Sequence, residues 1–369
     1  MTRRIALALL LLAFMPIARG QAPQAYEKAD KADAAARAEV ERQGLVNLVV
    51  VVIDDDRVAW AQGYGFADLE NHVPASPGVT QYRWASISKP ITAIAALQLY
   101  EKGRLDLDAD VRTYVPEFPD KGARITPRQL LCHQGGIVHY SNGRVIRTPA
   151  EYKVPHPFED VITALDTFKD SPLVNRPGAK YSYSTHGFML LSAVVQRAGQ
   201  ERFADQVRDR ISGPLGMTGF QPDYEWVPIA HRAVGYRKDD DGDILRRPDA
   251  QAPDVSWKLG GGGFTSTAID MARFALGLID HKLVAESTEQ LMWTVQHPSD
   301  PESKSSYGLG FSIGKAPDGT RRIGHNGSQE KARTQMLLEP TRKRGVVVMT
   351  SSEWADPNQA AKALLDAIR

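Results

Sequence analysis

The chain of 369 residues places a lysine three positions after a serine at three points, Ser86/Lys89, Ser312/Lys315 and Ser328/Lys331. Such a pair matters because an amine can take the proton of a serine hydroxyl and make it a nucleophile for acyl transfer. Spacing alone is a weak signal, and context separates the three. Ser312 reads as the end of a strand running into the Ala316-Pro317-Asp318-Gly319 turn. Residues three apart on a strand lie on opposite faces, so Lys315 could not serve Ser312 there. Ser328 follows His325-Asn326-Gly327 in an expected turn or strand edge, with the same objection. Only Ser86 opens a helical pattern, where Lys89 lies one turn on and on the same face. A helix start also offers unpaired backbone N–H groups and a positive dipole end. The same residues admit a plainer role, in which Ser86 or Ser88 caps the helix and Lys89 is solvated; Pro90 fits both.

Two other segments could join that chemistry. Pro177-Gly178-Ala179-Lys180-Tyr181-Ser182-Tyr183-Ser184-Thr185 gathers hydroxyls ahead of an apolar helix, and a phenol beside positive charge can accept a proton. Gly324-His325-Asn326-Gly327-Ser328 follows a short strand and precedes another; a glycine-flanked strand edge can present backbone N–H groups to an oxyanion. Taken alone, the tyrosines also read as packing residues and His325 as a turn histidine. The sequence has no G-x-S-x-G elbow, H-E-x-x-H, Walker loop or G-x-G-x-x-G. Cys132 is the only cysteine, which excludes an internal disulfide, a zinc ribbon and a CxxC redox pair.

The elements that must hold these residues show in the patterning. Residues 25–43 read as a helix, Leu45–Ile53 and Val58–Tyr64 as a β-hairpin across Asp54-Asp55-Asp56, and Ser86–Lys102 as a helix stopped at Gly103. Helical stretches follow at Ile125–Cys132, Phe188–Ala198 and Phe203–Ile211, with a hairpin over 232–246. The acidic run Asp239–Asp243 does not fit a calcium loop, since Arg237 and Pro248 would occupy its first and twelfth ligand positions. After Gly260–Gly263 come a helix over Ser266–Ile279, strands at Gly308–Ile313, Arg321–His325, Gln335–Glu339 and Gly345–Thr350, and a closing helix Asn358–Ile368. Strands at both ends and helices between them predict one sheet built from both termini with a helical insertion.

Arg3 and Arg4, the apolar run Ile5–Ile17 and the small residues of Ala18-Arg19-Gly20 form the pattern of a secretory signal peptide over residues 1–20. Export to the periplasm or the medium is expected, with no stable membrane insertion after cleavage. Without the three leader arginines, 42 basic residues face 44 acidic ones. Such a balance gives no reason to propose nucleic acid or an anionic membrane as partner.

Taken in order, five segments resemble the serine beta-lactamase-like, penicillin-recognising superfamily, in its class C, D,D-peptidase and esterase branch. They are Trp84-Ala85-Ser86-Ile87-Ser88-Lys89, Ile125–Ile137 (the ITxRxLLxHxSG segment), Tyr183-Ser184-Thr185 in place of Tyr-x-Asn, Gly261–Thr267 (GGGxxST) and His325-Asn326-Gly327 in place of Lys-Thr-Gly. The wording of several is closest to the mitochondrial beta-lactamase-like serine protease and its bacterial relatives. The resemblance implies an α/β (α+β) fold with an antiparallel sheet flanked by helices. Residues 21–83 and 255–369 would form the α/β domain, 84–254 a helical domain, and the active site would lie at their interface. It further implies Ser86 as nucleophile, Lys89 and Tyr183 sharing its deprotonation, and the N–H groups of Ser86 and Ser328 as oxyanion hole. His325, Gly327 and Thr185 would bound the substrate site, with His325 holding a carboxylate or orienting Tyr183. A small-molecule or peptide substrate is implied, with no metal and no organic cofactor; oligomeric state is not legible. Assigning Tyr183 over Tyr181 rests on the motif, since alternate residues of an extended chain point the same way. Thr185 for Asn, His325 for Lys, and Lys331 and Arg333 near the expected cleft mouth argue against an efficient beta-lactamase.

Overall fold

The structure is a computed structural model that describes residues 26–247 and 254–369. The leader read in residues 1–20 lies outside the described residues. A seven-stranded antiparallel sheet forms the frame. Its N-terminal strands are β1 (Asn47–Asp54), β2 (Arg57–Asp68) and β3 (Val73–Pro74). Its C-terminal strands are β9 (Ser312–Lys315), β10 (Arg321–Gln329), β11 (Ala332–Glu339) and β12 (Arg344–Thr350). The spatial order β3-β2-β1-β12-β11-β10-β9 joins the two halves where Val50 faces Val348. One sheet therefore does draw on both ends of the chain.

β1 reads as a continuous apolar run because both faces of the sheet are covered. Val50, Val52, Val346 and Val348 pack under α1 (Ala29–Gln43) and α9 (Pro357–Ala367). The alternate residues Val49, Val51, Val347 and Met349 face the main core. That core holds α2 (Ser88–Glu101), α4 (Thr185–Gly199) and α7 (Ala268–Ile279), with the shorter α3 (Pro127–Leu131) and α5 (Phe203–Val207) against them. Three short strands, β4 (Tyr82–Arg83), β5 (Gln221–Pro222) and β8 (Phe264–Ser266), make a second small sheet, and β6 (Gly235–Lys238) pairs with β7 (Ile244–Arg247). Two further helices, α6 (Leu259–Gly262) and α8 (Glu286–Met292), complete the fold. No helix among the described residues is long and apolar enough to cross a membrane.

Local chemistry accounts for most boundaries. Asp55 and Asp56 both adopt positive φ, as a two-residue hairpin turn between right-twisted strands requires. Three expectations need correction. β9 begins at Ser312 instead of ending there. α8 was not foreseen, being short and without a marked apolar stripe. His325-Asn326-Gly327-Ser328 forms no turn: β10 continues through Gln329, because this stretch pairs residue for residue with β11 down to Gln329 and Ala332. The reversal comes later, at Lys331 with φ 65°.

Candidate active site

Ser86 sits in a 3₁₀ turn, Ala85–Ile87, that runs straight into α2. Ala85 is held at φ 49°, a costly conformation for a residue with a Cβ. Its surroundings hold it there. The Trp84 ring is buried against Phe220 and Phe274, the Trp84 backbone N–H donates to the Phe264 carbonyl at 2.8 Å, and the Trp84 carbonyl accepts from the Thr334 hydroxyl at 3.1 Å. Neither Ser86 nor Ser88 caps the helix; the Ser88 hydroxyl instead accepts from the Phe264 N–H at 3.3 Å. The capping role that the sequence left open is therefore not the one adopted.

Lys89 is fully buried. Its Nζ lies 2.9 Å from Ser86 Oγ, 3.2 Å from Thr185 Oγ1 and 2.6 Å from the Gly261 carbonyl. Burial, and then repulsion from Lys258, hold the amine well below its ordinary range. A neutral amine suits these neighbours: it donates to Gly261 O, which can only accept, and keeps a lone pair for the Ser86 proton. Gly261 must be a glycine, since a Cβ there would come within 2.6 Å of the Thr185 methyl.

Tyr183 and Thr185 enter on the segment leading into α4, whose first turn is capped by Ser184 accepting from the Gly187 N–H at 2.9 Å. The Tyr183 ring lies 4.9 Å from Lys89 Nζ and rests on the buried His133 ring at 4.2 Å. Burial raises the Tyr183 phenol well above its usual range, against a smaller pull downward from the Ser86 hydroxyl. The phenol is thus protonated at neutral pH, contrary to the expectation that nearby positive charge would depress it. Tyr181 packs behind, against His133 and Tyr307, and is not among the residues around Ser86.

A cavity of about 280 Å³ opens over Ser86. Tyr183, Thr185, Gly261 and Ser328 bound it, as do Lys258 and Asn326. Gly327 serves by size, letting β10 touch the Trp84 carbonyl and Ala85. His325 is placed elsewhere: alternation along β10 sends its ring to the opposite side from Asn326, into the buried cluster with Tyr307 and Tyr183. Burial and repulsion from Lys89 bring it down to about 3, so it carries no charge at neutral pH. Lys331 and Arg333 also lie away from the cavity. Lys331 is buried at the β10–β11 turn with its N–H on Glu353, and the Arg333 guanidinium donates to the carbonyls of Gln329 and Ala332. Ser312 and Lys315 border a different depression at the sheet edge.

Sequence reasoning missed His139, Tyr140, Lys258 and Gln329, all of which line the cavity. His139 Nδ1 accepts from the Thr185 N–H at 3.2 Å, and burial with repulsion from Lys89 lowers it to about 4. Lys258 is brought down to about 8 by burial and by Arg83 nearby. The position of His139 and Tyr140 just beyond the Gly135-Gly136 turn, and of Lys258 just before the glycine run, was the only signal available.

With this geometry in place, comparison with known proteins is decisive: the family profile described as Beta-lactamase matches residues 32–368. The chain belongs to the beta-lactamase family. Within it, the chain is 30% identical to the human mitochondrial serine beta-lactamase-like protein LACTB over 64% of its own length and 54% of that protein's. It is 31% identical to the putative penicillin-binding protein PbpX of Bacillus subtilis over 71% of its length and 61% of the relative's. The chain thus spans a little over half the length of the curated relatives it matches. Among solved structures, the octameric penicillin-binding protein homologue of Pyrococcus abyssi superposes with a TM-score of 0.74 at 23% identity, covering 90% of this chain and 75% of that one. EstCE1, a hydrolase with promiscuous acyltransferase activity, gives 0.76 at 19% identity over 92% of this chain and 98% of that one. The D-amino acid amidase of Ochrobactrum anthropi gives 0.75 at 20%, again over 92% and 98%. These likenesses establish the beta-lactamase fold, and the family is one of serine hydrolases.

Proposed function

We propose that this protein is an exported serine hydrolase that cleaves an amide or ester through an acyl-enzyme on Ser86, peptidase- or esterase-like and not a dedicated beta-lactamase. The observation that carries the reading is the fully buried Lys89 amine 2.9 Å from the Oγ of Ser86, which itself lines an open cavity. Ser86 Oγ attacks the substrate carbonyl while its proton passes to the neutral Lys89 amine. The backbone N–H groups of Ser86 and Ser328 receive the oxyanion. The protonated Tyr183 phenol then serves as the donor to the leaving group and is recharged from Lys89. Water hydrolyses the acyl-enzyme by the reverse proton path. The cavity draws lining residues from both 84–254 and 255–369, which supports a site between a helical and an α/β portion. The amidase and the EstCE1 hydrolase among the structural neighbours support amide and ester chemistry without assigning it.

The test is intact mass after exposure to a fluorophosphonate and, separately, to benzylpenicillin. Labelling by fluorophosphonate that is lost in Ser86→Ala and kept in Ser312→Ala is expected. A persistent penicillin adduct on Ser86 indicates a peptidase-like site that acylates and stalls; rapid drug consumption would instead make the protein a true beta-lactamase. An unreactive Ser86, or equal loss in Ser312→Ala, sinks the assignment.

A further inference from the structure

His139 and Tyr140 line the cavity just beyond the Gly135-Gly136 turn, and both act on Thr185. His139 Nδ1 accepts from the Thr185 backbone N–H at 3.2 Å, which pins that residue at the head of α4. Tyr140 meets the side chain. Its phenol is pushed up to about 12 by burial, against a smaller pull downward from the Thr185 hydroxyl. A pull in that direction marks a hydroxyl that donates to the phenol oxygen, since donation favours the ionised form. Neighbouring rings keep Tyr140 in place: His139 at 4.1 Å, His186 at 5.4 Å and Trp257 at 6.2 Å between centroids.

The direction of that bond decides what the neutral Lys89 amine does. A neutral amine has two N–H donors and one lone pair. At hydrogen-bond distance stand the Gly261 carbonyl at 2.6 Å, Ser86 Oγ at 2.9 Å and Thr185 Oγ1 at 3.2 Å. Gly261 O accepts only, so it takes one N–H. The other N–H and the lone pair are divided between two hydroxyls, either of which can donate or accept. If the Thr185 hydrogen turned to the lone pair, the remaining N–H would point at Ser86 Oγ, and the serine would face a donor instead of a base. With the Thr185 hydrogen on Tyr140, Thr185 Oγ1 takes the second N–H and the lone pair is left for the Ser86 proton.

We propose that Tyr140 is a positioning residue of the active site: by accepting the Thr185 hydroxyl hydrogen, it fixes the sense of the chain Tyr140–Thr185–Lys89–Ser86 and aims the Lys89 lone pair at the nucleophile. The inference rests on the serine hydrolase reading and deepens it. Tyr140 takes no proton from the reaction, which separates its part from that of Tyr183.

The experiment follows the second-order rate of Ser86 labelling by a fluorophosphonate against pH, in the full-length protein, Tyr140→Phe, Thr185→Val and the double variant. Fluoride leaves without being protonated by the enzyme, so the rate reads attack by Ser86 and not the donor step of Tyr183. Tyr140 is half exposed, and Tyr140→Phe removes a single oxygen, so the variant is expected to fold. Its plateau rate should fall about three- to tenfold, the worth of one neutral hydrogen bond. The acid limb should at the same time move to lower pH, because the freed Thr185 hydroxyl turns to the lone pair and favours the neutral amine. A merely loosened site would do the reverse, since water reaching Lys89 would raise its pKa and the limb with it. In the Thr185→Val background, Tyr140→Phe should bring no further loss. The inference is overturned by an unchanged plateau in Tyr140→Phe, by a limb that stays fixed or moves up, or by an equal loss in the Thr185→Val background. A Ser86 that labels and gives any of these results removes the role of Tyr140 alone; a Ser86 that does not label in the unmutated protein removes the hydrolase reading and this inference with it.

Discussion

The Lys89 amine stands 2.9 Å from the Ser86 hydroxyl while none of the lysine side chain reaches solvent. Burying an ammonium is costly, and that cost favours a neutral, basic amine at the point where the proposed mechanism takes a proton. Stability and activity therefore pull against each other at this residue. Lys89→Met should lower kcat/KM by about 10²–10⁴-fold, the usual worth of a positioned general base. Its Tm should stay level or rise by about 2 °C, since an apolar side chain of similar length removes the desolvation penalty. A turnover assay beside a thermal melt checks both; near-normal activity, or a large fall in Tm, would contradict this account.

The pH dependence follows from the same depression. The proposed mechanism needs Lys89 unprotonated, so kcat/KM should climb with pH through the Lys89 value and level off above it. Repulsion from Lys258 is one cause of that low value, and Lys258 stays charged below about pH 8. Removing it in Lys258→Met should let Lys89 hold its proton longer and move the acid limb to higher pH. Stability has a matching sign. Lys89 binds its proton less well folded than unfolded, so between its folded value and about 10.4 its contribution to stability grows with pH. A limb that stays fixed or moves down in Lys258→Met would show that the two amines do not communicate.

Tyr183 and Tyr181 sit two residues apart and are distinguished only by what surrounds them. Tyr183 lines the cavity and meets Ser86, whereas Tyr181 packs edge-on against His133 and tilted against Tyr307. Tyr183→Phe should reduce kcat by about 10²-fold or more through loss of proton transfer to the leaving group. Tyr181→Phe keeps the packing surface and should stay within a few-fold. The effect in Tyr183→Phe should also shrink for esters with good leaving groups, which need little protonation. Parallel kcat measurements on an amide and an activated ester decide it, and a larger loss in Tyr181→Phe would reverse the assignment.

The part of the site that was legible in the sequence is the part held together locally. Ser86 and Lys89 lie three positions apart, about one helical turn, and Tyr183-Ser184-Thr185 gathers hydroxyls just ahead of an apolar helix. The sheet was legible because β1 and β12 each carry a run of consecutive valines. What escaped is tertiary. His139, Lys258 and Gln329 converge on the cavity from segments far apart in the chain, and no period or spacing encodes that meeting. The direction of His325 was misjudged for a related reason. Asn326-Gly327 has the composition of a turn, but pairing with β11 carries the strand through it, and alternation then turns His325 inward and Asn326 toward the cleft.

That strand also fits tightly against the turn that carries Ser86. A Cβ on Gly327 would lie 2.2 Å from Thr334 Oγ1, 2.4 Å from the Trp84 carbonyl oxygen and 3.1 Å from the Ala85 Cβ. β10 can approach the strained turn carrying Ser86 only because position 327 has no side chain. In Gly327→Ala the hydroxyl of Thr334 could rotate aside, but the Trp84 carbonyl is main chain, fixed by a buried ring and by the Thr334 hydrogen bond. The strand and the turn must therefore separate. Overpacking of this kind costs about 1–3 kcal/mol, and a displacement of about 1 Å between nucleophile and oxyanion donors costs about 10² in rate. Gly327→Ala should thus fold with a lowered Tm and lose about a hundredfold in kcat/KM. The double variant Gly327→Ala/Thr334→Ala should recover little, because only the side-chain clash is relieved. Full recovery in the double variant would locate the constraint in Thr334, and unchanged kcat/KM in Gly327→Ala would mean that the close approach of β10 to the Ser86 turn is not needed for the chemistry.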